Sequence, residues 1–348
     1  MIVANLKALE GLVWGTALGD GLHRMHRFRK PPFLLHSASG TWFLSVFQAV
    51  FEPGDLSTKL QVLATPRHGM ALRGDASALA GTLLEASNAR PSHRLLGDIL
   101  PCMTPLAFLS KDESSLVEKL IDWTHVTHWH PRVISSVALL VGALRALLMD
   151  AKLPLEGQLQ QGELLADRVL HRLFERKEAD TPQAIWTAHQ ALRHHVAVGK
   201  GAVDPVDLQF PAGFDGRDSP EQIVIYALAL SCQVAPAELK LNVVLENGST
   251  SDILAPLVGG LIGFHEGIST MPPHSLQIML SKSLWSRHLT ALAQRDFYFP
   301  ALAEAEITLT LSEESALKEL DHFQSGSGLK NQLALFEDKI IKRESAGA

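Results

Sequence analysis

The sequence predicts an all-α protein, a compact multi-helix bundle, on three observations. Apolar residues recur at three-to-four spacing through most of the chain, the period of a helix that buries one face. Strand-like alternation is confined to short pieces such as Ile307 to Leu311 (ITLTL). Proline and glycine fall between the periodic segments, at Pro53-Gly54, Pro131, Pro154, Pro182, the stretch Pro205 to Pro220 and Pro272-Pro273, where they start or stop helices.

In order, this pattern places helices at about 2–24, 41–51, 55–64, 76–88, 113–125, 131–150, 157–176, 182–197, 219–234, 236–245, 252–268 and 274–293. Two of them carry glycine every fourth residue: Gly11, Gly15 and Gly19 in the first, Gly259, Gly263 and Gly267 late in the chain. Such a row lies on one helix face and removes the side chains that hold another backbone away. Glycine costs about 1 kcal/mol per helical site, so the rows need a steric return, and close helix packing supplies one. The two most apolar stretches, Val133 to Met149 and Ile253 to Phe264, are interrupted by Arg145 or too short to cross a bilayer, and are expected to be buried helices. Gly199 to Pro220 has no helical period and reads as a long surface loop. One helical domain is expected over 1–300. It is followed by a partly helical extension, 301–348, that contains the amphipathic LKNQLALFEDKIIKR. No fixed-period repeat is present, which argues against a solenoid.

A chain of 348 residues with 46% apolar content can bury a sizeable core. Its 31 basic and 37 acidic residues are spread along the sequence without a basic block, so nucleic acid is not an expected partner. No membrane partner is expected either. Met1 to Gly15 lacks an early basic cluster and is interrupted by Lys7 and Glu10, unlike a signal peptide. Two cysteines, Cys102 and Cys232, make no disulfide framework and no CxxC pair; this fits a reducing compartment, and cytoplasm is the expected location. Both lie in apolar surroundings and are expected to be buried and inert. There is no G-x-S-x-G elbow, no phosphate-binding G-x-x-x-x-G-K-[ST] and no G-x-G-x-x-G after a strand.

Four motifs in order resemble the ADP-ribosylglycohydrolase family. Gly11-Leu-Val-Trp-Gly15-Thr-Ala-Leu-Gly19-Asp20 is similar to the family's G-x-x-x-G-x-A-x-G-D. Leu100-Pro-Cys-Met-Thr-Pro105-Leu-Ala is similar to M-R-x-x-P-L, and Thr127-His128-Trp129-His130-Pro131 to TH-x-D-P. Gly248-Ser-Thr-Ser-Asp252-Ile, followed by the second glycine row and Met271-Pro272, is similar to G-G-D-T-D-T and its helix. The resemblance spans about residues 5 to 285, as placed by these helix-borne motifs. It implies a helical bundle whose central cleft holds two divalent ions, usually magnesium, that hydrolyse a bond to ADP-ribose. Two hard dications need several anionic oxygens, which the family supplies as aspartates at helix mouths.

This sequence departs from that pattern. Where the family has T-D-D-T it has Ala38-Ser39-Gly40-Thr41, and in the late motif the first aspartate falls on Thr250, the second is retained as Asp252 and the threonine falls on Ile253. The glutamate expected after Gly19-Asp20 is absent, with Arg27 as its approximate counterpart. The candidate cleft is Asp20, Ser39, Thr41, His128, Thr250, Ser251 and Asp252, with no residue assigned a catalytic or metal-ligating role and Asp252 the one carboxylate kept in the late motif. No cofactor is expected, magnesium being the choice if the site is competent. His125, His128 and His130 form H-x-x-H-x-H, a spacing open to a transition metal, but the three do not share one helix face.

The function this implies is a catalytically inactive family member that binds ADP-ribose or a nucleotide-like ligand. One alternative is an active hydrolase with a rebuilt site using Asp20, Asp252 and histidines. The other is a regulatory scaffold working through the C-terminal extension. Oligomeric state is left open.

Overall fold

The computed structural model describes residues 6–28, 38–51, 97–109, 112–177, 182–202, 219–246, 251–277, 279, 282–294 and 315. In order these form α1 (Leu6–Phe28), α2 (Ala38–Phe51), α3 (Leu100–Met103), a 3-10 turn (Thr104–Phe108), α4 (Glu113–His125), α5 (Pro131–Met149), α6 (Leu155–Arg176), α7 (Pro182–Ala202), α8 (Pro220–Cys232), α9 (Ala237–Glu246), α10 (Ser251–Glu266), a 3-10 turn (Ile268–Thr270), α11 (Pro273–Gln277) and α12 (Lys282–Ala293). No strand occurs among the described residues. The fold is all-α. The expected Gly199–Pro220 loop starts later than its first glycine, since α7 runs on to Ala202 with Gly199 packed against Ile225; most of the rest of it, the expected helices at 55–64 and 76–88, the ITLTL piece and, save Ser315, the extension after 300 lie outside the described residues.

Two differences from the sequence reading have local causes. The short α3 and its 3-10 continuation have no helical period to announce them, because Pro101 and Pro105 break the segment into single turns. The helix expected at 274–293 is two, α11 and α12, separated around a buried Met279. Apolar spacing runs on through Leu276 and Met279, and no proline or glycine marks the break.

α1 and α10 form the tightest pair in the fold, and glycine is the reason. They run antiparallel, with Gly11 against Gly263, Gly15 against Gly259 and Gly19 against Ala255. A Cβ added to any of these three α1 glycines would fall inside the facing carbonyl group. Gly260 extends the close face against Thr16. Gly267 does not belong to that face: it ends α10 with φ at 84°, and nothing lies near the space its Cβ would take. α10 continues through Pro256, which cannot give the intrahelical bond to the Asp252 carbonyl.

α5 passes through the other half of the core, packed on α6, α7 and α8. Gly142 on α5 faces Gly162 on α6, where an added Cβ would lie 2.8 Å from the Gly162 Cα. Apolar and long enough to cross a membrane by composition, α5 has 72% of its most apolar window buried inside the fold, so it serves here as a core helix.

Candidate functional site

The glycine contact sets the position of every candidate residue at the α1 end of the cleft. Each turn along α1 matches one turn back along α10, so one turn beyond the Gly19–Ala255 crossing Asp252 stands level with Leu22 and His23. Asp20 is fully buried on α1, and His23 and Asp252 are also buried. Asp252 sits in the first turn of α10, where a carboxylate complements the helix dipole. Ser251 opens that helix, and Thr250 lies outside the described residues.

A second group of residues closes the floor. α2 and α3 pack together, and the Cys102 thiol on α3 donates to the Ser39 carbonyl at 3.4 Å. Ser39 and Thr41 are both buried in the first turn of α2, where the Thr41 carbonyl accepts Ser45 Oγ at 2.8 Å. Burial first, and then the facing Asp20 and Asp98 carboxylates, push the Cys102 thiol well above its ordinary range. The thiol therefore stays protonated and is not a nucleophile. Both carboxylates therefore lie close enough to the thiol for their charges to act on it.

Asp98 is the site residue that sequence reading missed. It lies in the turn ahead of α3, and it is 2% exposed. Gly97 lets this turn seat on α8, since a Cβ there would come within 2.7 Å of Ile223 Cδ1. An acidic residue immediately ahead of the Pro101–Pro105 motif was the available signal. His128, fully buried, donates Nε2–H to Asp98 Oδ1 at 2.7 Å, while its Nδ1 meets Thr127 Oγ1 at 2.9 Å. The other two histidines of the triplet serve the same turn. His125 stacks on Trp129 and His130 caps α5. The next residue but one, Arg132, makes a bidentate pair with Glu221 on α8, both bonds 2.8 Å. Of the residues singled out in the sequence, Asp20, Ser39 and His128 are thus linked through Asp98 and Cys102. Thr41 lies one residue past Gly40 in the same α2 turn, and Asp252 stands on the neighbouring helix.

Among the described residues, few anionic donors are arranged for a pair of magnesium ions. The first turn of α2 carries no acidic residue, and one Asp98 oxygen is committed to His128. Among the described residues no three histidine, cysteine, aspartate or glutamate side chains are arranged to hold a metal ion. Two dications close together require several anionic oxygens, and the described carboxylates of this group are Asp20, Asp98 and Asp252.

One expectation about cysteine is corrected. Cys102 is buried, but Cys232, the last residue of α8, is exposed, because the helix ends there at the surface. Titration with a small aromatic disulfide is expected to find one reactive thiol per native chain and two in denaturant. Two fast thiols in the native protein would show that Cys102 is open to solvent.

A groove among the described residues lies elsewhere, between α6 and α7, with a volume near 620 Å³ and walls that include Asp167, Phe174, Trp186 and His189. It shares no residue with the cleft.

The comparisons with known proteins agree with the motifs. A family model described as ADP-ribosylglycohydrolase matches residues 14–307. A solved structure described as an ADP-ribosylglycohydrolase-related protein complex superposes with a TM-score of 0.54 at 17% identity, covering 84% of this chain and 99% of that one. At that identity the likeness speaks for the fold. No curated protein matches the sequence. A match over most of the chain, with glycine-row helices in contact and the His128 motif beside them, shows that this chain belongs to the ADP-ribosylglycohydrolase family.

Proposed function

We propose that this chain is a non-hydrolysing member of its family that acts by binding ADP-ribose or a nucleotide-like ligand in the central cleft without a metal ion. The observation that carries the reading is the first turn of α2, where the family's paired aspartates are Ser39 and Gly40 and the remaining side chains offer neutral oxygen. The commitment of Asp98 to His128 supports it further, since one oxygen of that carboxylate is already taken by a buried hydrogen bond. Metal-activated water is the source of hydrolytic power in a two-metal site, and a donor set too poor in charge to hold both ions forgoes it. A cleft built from helix N-termini retains backbone N–H groups that suit phosphate.

The expected result is no release of ADP-ribose from ADP-ribosylated protein with magnesium or manganese present, and calorimetric binding of ADP-ribose that chelator does not change. Turnover that disappears in Asp252→Ala would overturn the inactive reading and favour a rebuilt site. Absence of binding to ADP-ribose, ADP and AMP alike would overturn the ligand class.

A further inference from the structure

The turn that carries His128 is held at both ends by neutral imidazole. At its start the His125 ring lies on Trp129, centroids 3.7 Å apart and planes 27° from parallel. At its end His130 is the N-cap of α5, and its Nδ1 lone pair accepts the Arg132 backbone N–H at 3.2 Å. Once protonated, Nδ1 has no lone pair and cannot accept that bond. The similar family motif has aspartate at this position, a cap that keeps its acceptor through mildly acidic pH. Histidine in its place makes a cap that protonation of Nδ1 removes.

Between the two ends, His128 reaches Asp98 and anchors the turn in the cleft. We propose that the Val126–His130 turn is an acid-released latch: neutral His125 and His130 hold it, and with it His128 on Asp98, and their protonation frees the turn locally, ahead of global unfolding. This goes beyond the proposed function and depends on the geometry of the turn, not on which ligand the cleft takes.

The electrostatics around the turn favour a local event. Burial pulls His125 down from 6.5 to about 4. Its folded value lies below its unfolded one, so above 6.5 the ring contributes no pH dependence. Between 6.5 and about 4, acidification favours any state that exposes it. Among the described residues, the charged groups on the packing elements include Asp122 and Glu118 of α4 with Arg176 of α6, Arg132 of α5 with Glu221 of α8, Asp98 ahead of α3, and His195 of α7. The Arg132–Glu221 and Asp122–Arg176 pairs tie α5 to α8 and α4 to α6 on either side of the turn.

The test is amide hydrogen exchange on the full chain at about pH 7.5 and about pH 5, corrected for intrinsic rates, with His128 imidazole nitrogen NMR as a second readout. Protection of Thr127 to Arg132 is expected to fall roughly tenfold relative to the α5 interior, Leu139 to Leu144, with loss of the Asp98-bonded Nε2 signal. In His125→Phe/His130→Asp, which keeps a ring for Trp129 and a cap for α5, the turn is expected to stay protected. If the turn and the α5 interior lose protection together, or the double variant opens as the unaltered protein does, the latch is wrong. Should the double variant not fold, His130→Asp alone decides on the same criterion.

Discussion

Gly15→Ala is expected to destabilise the protein by about 3 kcal/mol or more, although helix propensity by itself favours alanine by about 1 kcal/mol. The sign follows from where the Cβ would go. It would fall inside the Gly259 carbonyl group, a backbone atom held by α10's own hydrogen bonds, so no side-chain rotation relieves the overlap. Separating the helices enough to admit it would also open the Gly11–Gly263 and Gly19–Ala255 contacts, because all three lie on one antiparallel line. Equilibrium urea unfolding measures the effect, with Gly157→Ala as control, since the atoms nearest a Cβ there belong to the Leu153 side chain, which can turn aside, and not to backbone. A Gly15→Ala protein as stable as its parent would mean that α1 and α10 do not cross this closely. With Asp20 and His23 on one helix and Asp252 on the other, the cleft geometry would then have to be redrawn.

Arg132→Ala is expected to cost about 3–5 kcal/mol, because it strands a buried carboxylate. Glu221 is 0% exposed, and both its oxygens accept from the Arg132 guanidinium at 2.8 Å. The pair joins the N-terminal turns of α5 and α8 and so clamps the His128 turn from outside the cleft. The double variant Arg132→Met/Glu221→Leu, which removes both charges at similar volume, is expected to recover most of the loss, since the penalty lies in the orphaned charge more than in the missing bonds. Thermal unfolding of the two variants makes the comparison. Equal destabilisation by the single and double changes would assign the cost to lost packing instead.

Much of the fold was legible because helical period and punctuation are local properties. α4 at 113–125 begins and ends where the apolar spacing says, and α5 begins at the proline that opens it. The long α1, α6 and α7 were found with their ends displaced by a few residues, as fraying and non-periodic polar ends lead one to expect. The break between α11 and α12 was not legible, since apolar residues keep helical spacing across it. At the site, Ser39, Thr41, His128 and Asp252 were readable as motif positions. Asp98 was not, because its importance lies in a contact with His128 thirty residues away in sequence.

By itself the sequence determined the helical class, the pairing potential of two glycine rows and the residues Ser39, Gly40 and Thr250 at positions where the motif resemblance implies aspartate. Spacing and side-chain identity are enough for those. Only the tertiary structure decided which glycines meet, removing Gly267 from the row and bringing in Ala255 and Gly260. It also decided that the histidine triplet serves a turn, with one ring stacked, one bonded to Asp98 and one capping a helix. The reason is physical: a motif states which groups a segment carries, whereas burial and the partner across the fold determine which lone pairs and charges remain available for chemistry.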